Sequence, residues 1–221
     1  MINQTPHISS ELEGAFKRVN QDLLTMASRS RAALADAAKG FLTRDNALCE
    51  ATIEADDQID RLENEINRAL IELQLRFRPV AIDMRTTIAS MHLCSAFERI
   101  GDQSVTIARR ALVLNTTPKH RLADGMEHLY VSTRKHFEDC LISYTERNPE
   151  LAVESIEASK PLREQINQTI DNLADELVEG SSAEDLQTVI DLIVVARCMR
   201  NVVKQSINVA REVLFLNEEA V

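Results

Sequence analysis

Two stretches of this chain repeat one another at a fixed distance, and that repeat limits what each copy can be. TRDNALCEATIEAD (Thr43 to Asp56) lies over ERNPELAVESIEAS (Glu146 to Ser159) at an offset of 103 residues. GDQSVTIARRALVL (Gly101 to Leu114) lies over VKQSINVAREVLFL (Val203 to Leu216) at an offset of 102. The single-residue change falls between the second and third elements of the copy, in a loop, where insertions are tolerated. Both copies carry Gln-Ser-x-x-x-Ala, at Gln103, Ser104 and Ala108 and again at Gln205, Ser206 and Ala210. The chain therefore reads as a duplicated unit with a boundary near residues 115–119, giving repeats over 1–115 and 116–221.

Periodicity says what the unit is. Leu12, Phe16, Val19, Leu23, Met26, Ser30, Ala33 and Ala37 alternate spacings of four and three, the seam of a helix packed in a bundle. That helix is predicted from about Ser9 to Leu42, a rod of ~50 Å at 1.5 Å per residue. A second begins near Asp45, with Ile59, Leu62, Ile66, Leu70 and Leu73 on one face, and stops at RFRP because a residue before proline is pushed out of helical geometry. A third runs from just after Pro79 to about Val113. The second copy follows the same plan. Leu122, Met126, Leu129, Thr133, His136, Cys140 and Tyr144 mark a fourth helix, Asn148-Pro149 opens a fifth that reaches about Val178, and EGSS turns it into a sixth.

Strand signals, meaning β-branched runs alternating with polar residues between turns, are missing. Aromatics make up 4% of the residues and Trp is absent, so the core is aliphatic, as suits helix on helix. The fold class expected is all-α: two tandem pseudo-symmetric three-helix bundles.

The net charge of −10 and the lack of a basic stretch argue against nucleic acid as a partner. No run approaches the ~18 apolar residues of a membrane span, and the N-terminal MINQTPHISSELEGAF is polar, so a cytoplasmic protein is expected. Cys49, Cys94, Cys140 and Cys198 lie far apart with no CxxC pair, which points to buried free thiols and not to zinc-thiolate.

One segment breaks the local rules. FERIGDQSVTIARRA sets Glu98 and Asp102 one turn apart with Gly101 between them, combining like-charge repulsion with a poor helix residue. EADDQID in the second helix carries a like pair, Asp56 and Asp60. Counting from the turn, Gln58 lies 17 residues before Leu75 and Ile100 lies 20 after Val80. In an antiparallel hairpin those depths differ by only ~4–5 Å. Four carboxylates at one level cannot all ionise without a counter-cation, and oxygen donors favour a hard ion. Gly101 would let a ligand or the neighbouring helix approach the backbone. A solvated acidic face, softened by Arg61 and Arg99, is the alternative reading.

The segments IEADDQIDRLENEI, RPVAIDMR and FERIGDQSVTIARRA resemble the PhoU family of phosphate-signalling proteins across nearly the whole chain. The resemblance implies metal ligands at Asp56, Asp60, Glu98 and Asp102, with iron, zinc, magnesium or manganese as the ion. Asp83 and Arg85 match the family's Asp-Leu-Arg, with Met84 in place of Leu. It also implies a non-enzymatic regulator that couples a phosphate ABC transporter, through its ATPase subunit, to a sensor histidine kinase. Such a regulator represses the phosphate-starvation response, and a homodimer, peripheral to the membrane at most, is expected.

The second copy departs from the family pattern. Ser159, Arg163, Arg200 and Lys204 stand where acids would, with Lys160 beside them. No metal is expected there. Arg163, Arg200 and Lys204 would form either a surface paired with Glu157, Glu164 and Glu212 or a site for an anion or an acidic partner. A helical scaffold with other partners and no metal-dependent role is the alternative function. A di-metal oxidase needs Glu-x-x-His motifs, and His92, His120, His128 and His136 have no Glu three residues before them, while His7 falls in the N-terminal arm.

Overall fold

The computed structural model describes residues 6–119, 121–178 and 183–217. Six α-helices run in order: α1 (Pro6–Thr43), α2 (Asn46–Phe77), α3 (Ile82–Leu114), α4 (Met126–Thr145), α5 (Pro149–Val178) and α6 (Ala183–Asn217). The described residues contain no strand. No helix is long and apolar enough to cross a membrane. The expected seams are the buried faces: Val19, Leu23, Met26, Ala33 and Ala37 of α1, and Ile59, Ile66, Leu70 and Leu73 of α2. Ser30, the one polar seam position of α1, donates its hydroxyl to the Phe97 carbonyl of α3 at 2.8 Å, so burying it leaves nothing unpaired.

Local chemistry sets the breaks. Asp45 caps α2 by accepting from the Leu48 N–H at 3.0 Å, and Asn148 does the same for Leu151 at 3.0 Å in the second copy. Arg44 and Arg147, just before those caps, both take a positive φ, 58° and 52°. The same turn is thus built twice. α2 ends at Phe77, with Arg78 in the left-handed region before Pro79.

Two details differ from the sequence expectations, and a third, the expected passage of α5 through a proline, has a local accommodation. α1 begins at Pro6, so His7 lies within it and not in a separate arm. Leu122 falls in a short 3-10 turn, Arg121–Gly125, and α4 proper starts at Met126, because Gly125 interrupts the periodic run. α5 continues through Pro161. Proline removes one backbone donor there, and the Ser159 hydroxyl bonds the Ile156 carbonyl at 2.6 Å in the same turn. The EGSS turn lies outside the described residues.

α3 and α6 form the spine of the molecule. They pack antiparallel, as three cross-links of opposing index show: His92 with Glu212 at 2.9 Å, Gln103 with Asn201 at 3.2 Å and Arg110 with Asp191 at 3.0 Å. α1 and α2 lean on α3, and α4 and α5 lean on α6, so one hydrophobic core runs through both halves. Phe97 and Phe137 meet within it with ring centroids 6.5 Å apart, and the Tyr130 hydroxyl ties α4 to the Leu34 carbonyl of α1 at 2.6 Å. All four cysteines are free and buried.

An acidic level between α2 and α3

α2 comes close to the backbone of α3 at Gly101. A Cβ there would stand 2.9 Å from Ile59 Cδ1 and 3.5 Å from Asp56 Oδ1. The glycine admits the neighbouring helix, and so brings the Asp56 carboxylate against the backbone between Glu98 and Asp102.

Burial then divides the four acids. Asp56 and Glu98 are half-buried, whereas Asp60 and Asp102 are exposed. Desolvation, followed by the charges of Asp60 and Asp102, raises the Asp56 carboxyl to about 6 against a weaker opposing pull from Arg109. Desolvation, a hydrogen bond with Asp102 and the charges of Asp102 and Glu63 raise Glu98 to about 7. Near neutral pH Glu98 is therefore protonated for about half of the time and Asp56 for a small fraction of it, because burial and the neighbouring acids both disfavour the charged forms. Among the described residues, no group of three or more His, Cys, Asp or Glu side chains is gathered tightly enough to hold an ion. The acids share a level and act on one another, but they do not converge on one point.

Two participants were not singled out from the sequence. Glu63 adds its charge to Glu98, and Arg109 opposes Asp56. Their signal was helical phase: Glu63 lies two turns beyond Asp56 and Arg109 two turns beyond Asp102.

At the matching level of the second copy, Ser159 is buried, and Arg163, Arg200 and Lys204 are exposed. Arg200 reaches across from α6 to α5 and donates to Asn167 Oδ1 at 3.2 Å. Of the acids expected to balance this face, Glu157 pairs with Lys160. Glu212 turns instead to His92 of α3.

Fold and site together define an all-helical protein of two pseudo-symmetric three-helix bundles, one with an acidic helix-helix level and the other with a basic one. Residues 23–111 match the model of the PhoU domain. A phosphate-specific transport system accessory protein PhoU homolog from Pseudomonas aeruginosa is 25% identical over 98% of this chain and 90% of its own length. The crystal structure of PhoU from the same organism superposes with a TM-score of 0.87 at 23% identity, over 92% of this chain and 97% of that one. The phosphate transport system regulatory protein PhoU from Streptococcus pneumoniae superposes with a TM-score of 0.79 at 18% identity, over 95% and 99% of the two chains. The chain thus carries a match to the PhoU domain over residues 23–111 and shares the fold of the PhoU crystal structures over nearly its full length.

Proposed function

We propose that this protein is a cytoplasmic accessory regulator of a phosphate-specific transport system, one that docks on the transporter ATPase and on a sensor histidine kinase and holds the phosphate-starvation response off. The similarity to a transport accessory protein over nearly the full length of both chains carries this reading. Its role is docking and not chemistry, and the long helix faces suit it as a homodimer.

The donor chemistry of the acidic level suits a metal, around which the four side chains, spread along one level, would have to close. Their donors are all oxygen, and burial together with neighbouring acids raises the Asp56 and Glu98 carboxyls, a cost of charge that a cation would relieve. Asp56, Asp60, Glu98 and Asp102 would hold iron, zinc, magnesium or manganese, and the ion would supply charge that fastens α2 to α3. The basic level of the second half would repel such an ion, so one site per chain is expected.

Two experiments test the reading. Isothermal titration of chelator-stripped protein with Mn²⁺ should show saturable binding that Glu98→Gln with Asp102→Asn weakens at least ~10-fold, since these are proposed direct ligands. Pull-down from cells grown in high and low phosphate should recover the transporter ATPase or a sensor kinase. Metal binding that ignores both substitutions would sink the site, and recovery of neither partner would sink the regulator. The reversed charges at Arg163, Arg200 and Lys204 favour a second reading, a scaffold derived from the family that serves other partners. Recovery of a different protein through that face would support it.

A further inference from the structure

The duplication leaves a pair of matching pockets in which one is filled and the other open. The first is lined by Phe41, Arg44 and Asn115, and at the repeat offsets these positions become Tyr144, Arg147 and Asn217 of the second. Across the spine, Thr188 and Leu192 of α6 line the first, and their counterparts Thr86 and Ser90 of α3 line the second. The sites are pseudo-two-fold mates. Their free volumes nonetheless differ, at about 30 Å³ for the first and about 570 Å³ for the second.

The connector between the repeats accounts for the difference. After α3 the chain turns across the first pocket, with Thr117 and Pro118 in its lining. Arg44 holds it there, donating to the Asn115 carbonyl at 2.8 Å and to the Thr117 carbonyl. Arg147 is set by the same capped, positive-φ turn, but it is exposed and has no hydrogen-bonded partner among the described residues. Lys17 stands on the same rim, also exposed, and among the described residues Glu13 is the one acid that lines the groove with the two cations. The floor is apolar, with Leu24, Leu93 and Val213.

We propose that the groove between the α4–α5 turn and the N-terminal part of α1 binds an acidic segment of a partner protein in the manner of the connector in its sister pocket. The Arg147 guanidinium takes the backbone carbonyls of residues two apart in the segment, as Arg44 takes those of Asn115 and Thr117. Lys17 pairs with a carboxylate of the segment, and a proline or small apolar side chain lies on the floor. The internal connector is the template for the backbone contacts, and the cationic rim selects the sign of the side chains. This inference goes beyond the proposed regulatory role and does not depend on the metal site.

Fluorescence anisotropy on the full chain tests it, using labelled acetyl-Asn-Glu-Glu-Pro-Leu-Glu amide and the same peptide with Lys at each Glu. The acidic probe should bind saturably and at least ~10-fold tighter than the basic one. Arg147→Ala and Lys17→Glu should each weaken it ~10-fold or more, while Arg44→Ala, in the filled pocket, leaves it unchanged. Equal binding of both peptides, no binding at millimolar protein, or indifference to Arg147→Ala would each overturn the proposal. A chain ending at Asn217 supplies one more arm. If the acidic probe binds only after residues 218–221 are removed, the groove belongs to this chain's own C-terminal segment, and the partner reading falls.

Discussion

The level of Gly101 in the first half and that of Val203 in the second are built on one plan and carry opposite charge. Ile59 and Leu162 occupy equivalent positions on α2 and α5, and both are buried. Around them the first half places Asp56, Asp60, Glu98 and Asp102, and the second places Ser159, Arg163, Arg200 and Lys204. The difference shows that packing and charge at a helix-helix contact are separate variables. Buried seam residues hold the register, while the flanking positions changed sign without disturbing it. In the first half the contact has narrowed to admit carboxylates next to backbone. In the second half a valine fills the same position.

The largest expected effect is that pH pulls the halves in opposite directions. Burial lowers the His136 imidazole of α4 to about 4, Asp139 raising it and Lys135 lowering it by smaller amounts. A depressed histidine contributes stability that is present above its unfolded value of about 6.5 and lost as pH falls toward 4, at most about 3 kcal/mol. Asp56 and Glu98 behave in the opposite sense. Their raised values make stability complete below about pH 4 and lost as pH rises through 6 and 7. Both are half-exposed, so each contributes on the order of 1 kcal/mol after solvent screening. The two windows overlap between about pH 4 and 6.5, so the effects partly cancel in urea midpoints of chelator-treated protein, and each limb shows when the other group is removed. His136→Gln should flatten the acid limb and Glu98→Gln should shrink the alkaline one. A profile with both limbs unmoved would mean that the halves do not differ electrostatically.

Exchanging the small residue between the halves sharpens the packing side of the comparison. Val203→Gly removes a fully buried side chain and adds a helix penalty, for a cost of about 3 kcal/mol. Gly101→Val gains helix propensity but drives atoms into Ile59, at 2.9 Å for the Cβ alone, so its net cost is about 1–2 kcal/mol. Denaturation midpoints that ranked the two in the reverse order would show that α2 and α3 repack more readily than α5 and α6.

What the sequence revealed, and what it hid, follows the same division. Periodicity found the seams because Val19, Leu23 and Met26, or Ile59 and Ile66, are buried by local helical phase alone. Asp45 and Asn148 could be read as helix starts, since a cap acts within three residues. Pro161 fell inside the helix expected from Pro149 to about Val178, and the packing of α5 on α6 overrides its propensity cost. At the acidic level, Glu98 with Asp102 and Gly101 stood out as violations of local preference. Glu63 and Arg109 violate nothing, and their involvement depends on where a second helix lies. The open groove was hidden for a related reason: it exists only because α1, α3, α4 and α6 converge, and because the chain crosses one pocket and not its mate.

The smallest effect isolates that last asymmetry. Arg44 and Arg147 occupy one turn conformation, with φ of 58° and 52°, so any backbone strain cancels when each is changed to alanine. What remains is the side chain. Arg44→Ala removes charge-assisted hydrogen bonds to the Asn115 and Thr117 carbonyls in a half-buried place and should cost about 1–2 kcal/mol. Arg147→Ala removes an exposed guanidinium with no described partner and should change the urea midpoint by no more than about 0.5 kcal/mol. Equal losses would mean that Arg147 is already engaged within its own chain. A clear gap would mean that the arginine of the second turn contributes little to folding, which leaves its guanidinium available for recognition.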